Sequence, residues 1–340
     1  MSIHCDYLLD AGDEYTSFED YYPLYIEDIN GTNKIRLFEN NSPTFSKYFI
    51  SQDQELLIFQ SKDIYKFNLT SKQNEFQFRL PLGNPRYQIL SNNKSFIVFV
   101  ANDVDTCIEL YKINIDGSNL QRLTFTPYDY EHNLSISKDD TKLVFTTASN
   151  KTNVGQTISM LDMTTGEITQ IMYHYDTHPV VNYKYFFSSP LIIHDNSEIL
   201  FFKDCEIENM LTDSLFLYNL NTQTKQLIDP DASRLYPLVT SDVENLFLYC
   251  RYKGGEHLML FDSQANTLTE VGEINSYAGY TISPDEHIIL CWNKGGYADR
   301  TIYKIGTDEL KWTRFETGTD AIFSSDGKRI LFSGYEQKKY

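Results

Sequence analysis

A polar turn followed by a short apolar run recurs along this chain, and this repeat limits most strongly how the chain can fold. The last copy reads Phe323-Ser324-Ser325-Asp326-Gly327-Lys328-Arg329-Ile330-Leu331-Phe332. Seven copies align on a turn acid or amide, and in five of them a Phe stands six residues later. The aligned turn residues are Asp53, Asn93, Asp139, Asp195, Asp242, Asp285 and Asp326. An aliphatic residue recurs two positions before the far end of each copy, and this same-face spacing predicts a β-strand.

A second pattern follows each of the first six copies and consists of an aliphatic residue, a polar residue four positions later, and a small turn. Leu110 and Asn114, followed by the turn Asp116-Gly117-Ser118, are one example. Small polar turns between short strands are typical of antiparallel hairpins. Each repeat therefore predicts four antiparallel strands, and a spacing of about 40 to 56 residues between turn acids is typical of a propeller blade.

The seventh copy lies too near the C terminus to be followed by its own second hairpin. A matching hairpin stands near the N terminus, where two apolar runs flank Asn30-Gly31-Thr32. We therefore predict an all-β fold, a seven-bladed β-propeller of four-stranded antiparallel blades whose last blade is closed by the N-terminal strands at 22–38. In this prediction residues 1–20 form an acidic N-terminal arm and residues 21–340 form a single propeller domain.

The charge balance bears on possible partners. The 340 residues include 47 Asp and Glu against 29 Lys and Arg, a formal net charge of −18. Because nucleic acids and anionic membranes bind to clustered Lys and Arg, we expect no nucleic-acid partner. No apolar run approaches the roughly 20 residues of a membrane helix, which predicts no membrane insertion. No leader peptide is visible, which predicts a cytoplasmic location, with a periplasmic or secreted one open if a leader was removed.

The fourth blade departs from the repeat, because Lys203–Asp213 adds about ten residues between its second and third predicted strands. We interpret this insertion as a loop of the kind that often carries function.

Several segments resemble a known repeat. Phe323–Phe332, Ile282–Asp285 and Asp116–Thr124 are similar to the Asp-containing, WD40-like repeat of the TolB-like β-propeller family. The same repeat builds the propeller domains of prolyl-oligopeptidase-type enzymes and of some polysaccharide lyases. The resemblance covers nearly all of the chain and implies a propeller fold, together with a protein-binding role by analogy of fold. The Gly-x-Ser-x-Gly elbow of the hydrolase relatives is absent from the sequence.

Tyrosines concentrate where the chain enters the first strand of several predicted blades. The predicted ligand-binding residues of this axial face are Tyr130, Tyr175, Tyr183, Tyr185, Arg234, Tyr236, Tyr277 and Tyr280. A tyrosine combines an apolar ring with a hydroxyl, so such a face can stack on a sugar or peptide or surround a cation. In the alternative interpretation these rings pack between neighbouring blades with only their hydroxyls exposed.

Histidines occur in the same region. His174-Tyr175-Asp176-Thr177-His178 places three polar side chains at alternate positions, which share a face in an extended segment. His132, one blade earlier, could complete a divalent-metal site with His174 and His178. The family resemblance adds that some propeller lyases hold a metal with axial histidines. Loop histidines without a metal are the alternative interpretation.

Two function classes remain open from the sequence. The first is a binding or protein-interaction scaffold that holds a protein partner or a small ligand on the Tyr/His-rich face. The second is a propeller lyase, isomerase or hydrolase in which His132, His174 or His178 holds a metal or moves a proton while Asp176 orients an imidazole. The recognisable motifs are structural, and this favours the first class.

Overall fold

The structure is a computed structural model in which every regular element of the described residues is a β-strand. It describes residues 20–21, 23–37, 47–50, 55–60, 63–68, 71, 73–80, 82–102, 108–126, 129–149, 155–175, 186–193, 196–207, 210–230, 233–238, 245–252, 255–262, 264–274, 277–285, 287–293, 301–306, 311–324, 326–334 and 336–337. The all-β prediction is confirmed for these residues.

The strands are numbered in chain order. They are β1 Asp20–Tyr21, β2 Leu24–Asp28, β3 Ile35–Arg36, β4 Lys47–Ile50, β5 Glu55–Gln60, β6 Asp63–Asn68, β7 Gln73–Arg79, β8 Gly83–Leu90, β9 Phe96–Asn102, β10 Ile108–Asn114, β11 Gln121–Arg122, β12 Asp129–Ile136, β13 Lys142–Ser149, β14 Gly155–Asp162, β15 Ile168–Tyr175, β16 Phe186–Ile193, β17 Glu198–Ile207, β18 Met210–Asn219, β19 Thr224–Asp229, β20 Ser233–Leu238, β21 Asn245–Tyr252, β22 Gly255–Asp262, β23 Thr267–Ile274, β24 Tyr277–Ile282, β25 Ile288–Asn293, β26 Thr301–Gly306, β27 Trp312–Phe323, β28 Arg329–Gly334 and β29 Glu336–Gln337.

Five sheets of four or more strands are present in the described part of the chain, beside the short pair β1–β29. Three of them contain four strands in chain order: β4–β7, β16–β19 and β20–β23. An eight-stranded sheet contains β8–β11 and β12–β15, which meet at one parallel bridge between Ile108 and Tyr130. The last sheet has the order β24-β25-β26-β27-β28-β2-β3. The architecture is a β-propeller of four-stranded antiparallel blades, and each blade is named below by its first strand.

The chain forms two compact units. One comprises residues 57–66 and 74–275 and contains the β8, β12, β16 and β20 blades. The other comprises residues 1–56, 67–73 and 276–340, and contains the sheet that joins β24–β28 to the N-terminal strands β2 and β3.

A buried serine closes the turn between the first two strands of a blade. The Ser137 hydroxyl donates to Asp139 over 2.7 Å and accepts the backbone N–H of Lys142 over 2.8 Å. The same Asp139 oxygen accepts the N–H of Thr141 over 3.0 Å. The same arrangement recurs in three further turns, at Ser91 with Asn93, Ser283 with Asp285 and Ser324 with Asp326. The turn acid of the sequence repeat therefore caps a strand and does not face a ligand.

Alternate residues of a strand pack against different neighbours, as strand geometry requires. In β13, Leu143 and Phe145 join the apolar cluster shared with the β8 blade, where Val98 is also buried. Val144, between them, packs with Ile199 of the β16 blade. The core of this unit therefore lies between successive blades, and a residue's position along the strand decides which neighbour it contacts.

The N-terminal strand β2 is hydrogen bonded to β28 from Leu24 opposite Ser333 to Asp28 opposite Arg329. The Tyr25 ring stacks on Phe332, with centroids 5.7 Å apart, and Lys34 Nζ lies 4.6 Å from the Tyr25 centroid. Chain segments far apart in sequence are thus joined by a backbone ladder and an aromatic pair.

The prediction of a loop at Lys203–Asp213 is wrong. The inserted residues lengthen β17 and β18 into a long hairpin, paired from Lys203 opposite Ser214 to Ile207 opposite Met210. The insertion is nearly symmetric about residues 208–209, so its two arms extend one antiparallel ladder and satisfy each other's backbone groups.

Replacing Gly334 should destabilise the junction of β2 and β28. A Cβ at this position would lie 2.6 Å from the Tyr25 ring, which is held against Phe332. We expect Gly334→Ala to lower the free energy of unfolding by about 1–3 kcal/mol, because such crowding requires a shift of packed groups. Urea unfolding would measure the change. Gly306→Ala is the matched control, since a Cβ there meets nothing within 4 Å; equal effects in both variants would contradict the packing account.

The turn carboxylate of Asp139 should make stability depend on acid pH. Partial burial acts to raise its pKa, but hydrogen bonds from Thr141, Ser137 and Asn196 together lower the pKa to about 2. A lowered pKa adds stability above the unfolded value near 3.8, and this stability is lost as pH falls towards 2. We expect Asp139→Asn to cost about 1 kcal/mol at pH 7 after solvent screening and nothing near pH 2.

Denaturant unfolding across this pH range would test the expectation. The exposed Glu167, which lies outside these serine turns, provides the control variant Glu167→Gln, for which we expect no comparable pH-dependent difference. A constant difference between Asp139→Asn and wild type from pH 2 to pH 7 would contradict this role of the carboxylate.

Candidate functional site

The predicted site residues fall mainly on strands at one end of the blades. Side chains are described for His132 on β12 and Tyr280 on β24, and the backbone is described for six others. These six are Tyr130, His174, Tyr175, Arg234, Tyr236 and Tyr277. The remaining four, Asp176, His178, Tyr183 and Tyr185, lie outside the described residues.

The register of the β12 blade places several predicted residues in one row across its four strands. Tyr130 pairs with Ala148, Ala148 pairs with Gln156, and Gln156 pairs with His174. Tyr130 and His174 therefore occupy the first and last strands of one row, at the end of the blade where the chain enters from the preceding blade. Because adjacent strands lie about 4.8 Å apart, roughly 14 Å of sheet separates β12, which carries His132, from β15, which carries His174.

His132 lies half-buried on β12. The His132 Nε2 is 3.3 Å from the side-chain amide nitrogen of Gln156, a residue that is 5% exposed. The Thr146 hydroxyl donates to the His132 backbone carbonyl over 3.0 Å. Thr146 lies two positions after Val144 and therefore on the same face of β13, and Val144 packs towards the β16 blade. His132 is thus held by polar side chains on the β16-facing side of the blade.

The neighbouring Glu131 lies on the opposite face, towards the β8 blade. Its Oε1 accepts a hydrogen bond from the Thr126 hydroxyl over 2.7 Å. Glu109 of β10 approaches the same threonine, because its Oε1 accepts the Thr126 N–H over 2.9 Å and also the Arg122 guanidinium over 2.7 Å. Both glutamates are almost fully buried, at 1% and 0% exposure.

Burial and the charge of Glu109 raise the pKa of Glu131, the Thr126 and Thr124 hydroxyls act to lower it, and the resulting pKa is about 7. A carboxyl group with such a pKa can hold or release a proton near neutral pH. It is sealed between blades, however, and it lies across the sheet from His132. The two neighbours therefore do not form the carboxylate–imidazole pair that acid–base catalysis commonly uses.

The described tyrosines differ in their exposure. Tyr280 pairs with Cys291 in the β24 blade, and its hydroxyl oxygen is buried. Tyr173, one residue before His174 on β15, is 51% exposed. The buried hydroxyl of Tyr280 differs from the packing interpretation, in which only the hydroxyl is exposed, whereas Tyr173 has a ring that solvent can reach.

Metal-ligating side chains do not gather in the described residues, where no group of three His, Cys, Asp or Glu could hold an ion. The residues whose side chains are described therefore do not make a metal site. No described helix is long and apolar enough to cross a bilayer.

Comparison with solved structures shows which proteins share this fold. An oligogalacturonate lyase in complex with manganese matches with a TM-score of 0.68 and 12% identity, over 94% of this chain and 96% of that chain. An oligogalacturonate lyase from Vibrio parahaemolyticus matches with a TM-score of 0.67 and 13% identity, over 93% and 98% of the two chains. A TolB-like protein from Agrobacterium tumefaciens matches with a TM-score of 0.53 and 11% identity, over 94% and 99%.

The fold is that of a TolB-like β-propeller. This confirms the resemblance that the Asp-containing repeat indicates. No family model and no curated protein matches the sequence. Identities of 11–13% show a shared fold alone, and the manganese belongs to the lyase that binds it.

The sequence does not reveal the buried acid pair of this TolB-like β-propeller. Glu109 stands in an ordinary alternating strand, Ile108-Glu109-Leu110-Tyr111, where a glutamate is expected to face solvent. Glu109 is buried by the segment between β11 and β12, which carries Thr126. The hydroxyl and the N–H of Thr126 both approach the Glu109 carboxylate. The only sequence signal is a Thr-x-Thr pair, Thr124 and Thr126, close to Glu131.

Glu131 should make the stability of this propeller decrease between mildly acid and neutral pH. Its folded-state pKa lies above the unfolded value of 4.5, so ionisation penalises the folded state as pH rises from 4.5 to 7. We expect Glu131→Gln to raise the free energy of unfolding by about 3 kcal/mol at pH 8 and by little at pH 4.5. Urea unfolding at the two pH values would test this.

Glu109→Gln is the matched control. Its carboxylate is paired with Arg122 over 2.7 Å, so its neutralisation should destabilise the fold at pH 8. A gain of stability in Glu131→Gln that is equal at both pH values would contradict the assignment of the raised pKa.

Proposed function

We propose that this TolB-like β-propeller is a binding protein that takes a protein partner or a small ligand at the Tyr/His-rich end of its blades. The observation that carries the proposal is the register of the β12 blade, which places Tyr130, Ala148, Gln156 and His174 in one row across its four strands. Aromatic and imidazole side chains are suited to stacking and hydrogen bonding with a ligand.

Two geometric facts favour binding over catalysis. The His132 imidazole lies against the Gln156 amide. Glu131, whose carboxyl group can hold or release a proton near neutral pH, faces away from His132 towards the β8 blade. Tyr175, Asp176, His178, Tyr183 and Tyr185 belong, in this proposal, to the rim of the same site, because in the sequence they end β15 or lie between β15 and β16.

We also propose that the five sheets make seven four-stranded blades of one propeller spanning residues 21–340, with residues 1–20 as an arm. Support comes from the eight-stranded sheet, which divides at a single parallel bridge. Further support comes from β27, which pairs with β26 through its first half and with β28 through its second. Arg234, Tyr236, Tyr277 and Tyr280 then occupy corresponding first strands of their blades. A cytoplasmic location stays a prediction.

A second candidate function is a lyase that acts on an acidic oligosaccharide. The observation that favours it is the match to two oligogalacturonate lyases over more than nine-tenths of each chain. In this candidate His132, His174 and His178 would hold a divalent metal or move a proton, and Asp176 would orient an imidazole.

Ligand arrays and a turnover assay separate the two candidates. We expect the protein to bind members of an oligosaccharide or peptide array, and the Tyr130→Ala/Tyr236→Ala variant to bind them about tenfold or more weakly, because each lost ring contact costs about 1 kcal/mol. Leu120→Ala removes another exposed apolar side chain, 37% exposed, and should bind as wild type does.

The turnover assay uses oligogalacturonate with and without added Mn²⁺ and follows the ultraviolet absorbance of the unsaturated product. We expect no product. Steady product formation that is lost in His132→Ala would overturn the binding proposal in favour of the lyase.

A further inference from the structure

The fourth strand of the β12 blade differs from the fourth strands of the other blades. Strand β15 is the last strand of its sheet in the described part of the chain and spans eight residues, Ile168–Tyr175. It contains no Asp, Glu, Lys or Arg. Apart from Met172, its residues are β-branched, aromatic, or neutral and polar, a composition that favours pairing with another strand.

Each of the other fourth strands that the structure describes carries at least one charge. Their charged residues are Glu75 and Arg79 in β7, Arg122 in β11, Lys225 and Asp229 in β19, Glu270 and Glu273 in β23, Arg314, Glu316 and Asp320 in β27, and Arg36 in β3. Proteins commonly protect an edge strand from pairing with other chains by placing charges on it. The β12 blade lacks this protection.

A β-bulge does not replace the missing charges. The register of β15 shifts at Ile171, but β19, β23 and β27 show the same shift at Ile228, Val271 and Phe315. Those three strands have both the bulge and charges, whereas β15 has the bulge alone.

Several side chains of β15 are accessible. Ile168 is 43% and Tyr173 51% exposed, and Gln170 between them is also exposed, whereas Ile171 and Met172 are partly buried. The exposed Glu167 directly precedes the strand. The edge therefore combines an uncharged, strand-forming centre with an acid at its Ile168 end.

We propose that the outer edge of β15 binds an extended peptide segment of a partner protein, with an uncharged β-forming core of about six residues and a basic residue at the end that lies beside Glu167. The segment adds to the β12 blade as a fifth strand. Backbone hydrogen bonds give the affinity, and the flanking Lys or Arg pairs with Glu167.

The charge of the molecule selects this occupant over a second copy of the chain. Two copies would each bring a net charge of −18, and β15 offers no cation to the partner's acids. A basic-ended peptide instead reduces the local negative charge. The two proposed surfaces share β15, since His174 and Tyr175 lie at its other end. The residues altered below lie at the Ile168 end and are not among the Tyr/His residues.

The test uses the labelled peptide Lys-Thr-Val-Thr-Val-Thr-Val-Lys and measures fluorescence anisotropy with the full-length protein at low ionic strength. We expect saturable binding that weakens about tenfold or more in Ile168→Lys/Gln170→Lys, which gives β15 the charges that other fourth strands carry. Leu227→Lys is the matched control on β19, since Leu227 is 50% exposed and its strand already contains Lys225; it should bind as wild type does.

Two altered peptides test the mode of binding without depending on how a protein variant folds. A peptide N-methylated at alternate amides cannot form a backbone ladder and should lose binding, and a peptide with Glu at both ends should bind several-fold more weakly. No saturable binding by the wild type, equal binding by the N-methylated peptide, or equal binding by Ile168→Lys/Gln170→Lys would overturn the proposal. So would sedimentation showing that wild-type protein dimerises through β15 and excludes the peptide.

Discussion

The serine–acid turn is the constraint on which the blades depend. A buried hydroxyl, 0% exposed at Ser137, receives the N–H that begins the second strand and fixes the acid two residues later. The same turns also join neighbouring blades, since Asp140 accepts the N–H groups of Asn92 and Asn93, and Asp139 accepts the Asn196 amide. One short motif thus closes the turn between two strands and also forms hydrogen bonds to the turns of the neighbouring blades, which explains why it recurs.

Strand alternation then decides what chemistry the blade can present. Consecutive residues of β12 face different neighbours, so Glu131 lies with Glu109 and Thr126 while His132 lies with Gln156. Glu131 and His132 are adjacent in sequence, but the carboxyl group and the imidazole therefore lie on opposite faces of the sheet. The groups that remain at the end of the blade where the chain enters from the preceding blade are suited to recognition. The uncharged strand β15 is the last strand of the same blade.

The sequence predicts the parts of this fold that are repeated. Turn acids such as Asp326 and the apolar run after it indicate strands, hairpins and a propeller, because the same local hydrogen bonds form in each copy. It does not predict the long hairpin at Lys203–Asp213, since a non-repeated insertion has no second copy to reveal its pairing. Nor does it predict that His132 and His174 lie on β12 and β15, the first and last strands of one blade, because this follows from register across four strands. The burial of Glu109 depends on a segment that packs over it from outside its own strand.

The central claim is that the Tyr/His-rich end of the blades recognises a ligand without a metal centre built from His132, His174 and His178. Metal analysis of the purified protein without a histidine tag, beside the His132→Ala/His174→Ala/His178→Ala variant, tests it most directly. The account predicts far less than one equivalent of metal in both proteins, because the strands that carry His132 and His174 lie about 14 Å apart across the sheet. One equivalent in the wild type that is lost in the variant would contradict it.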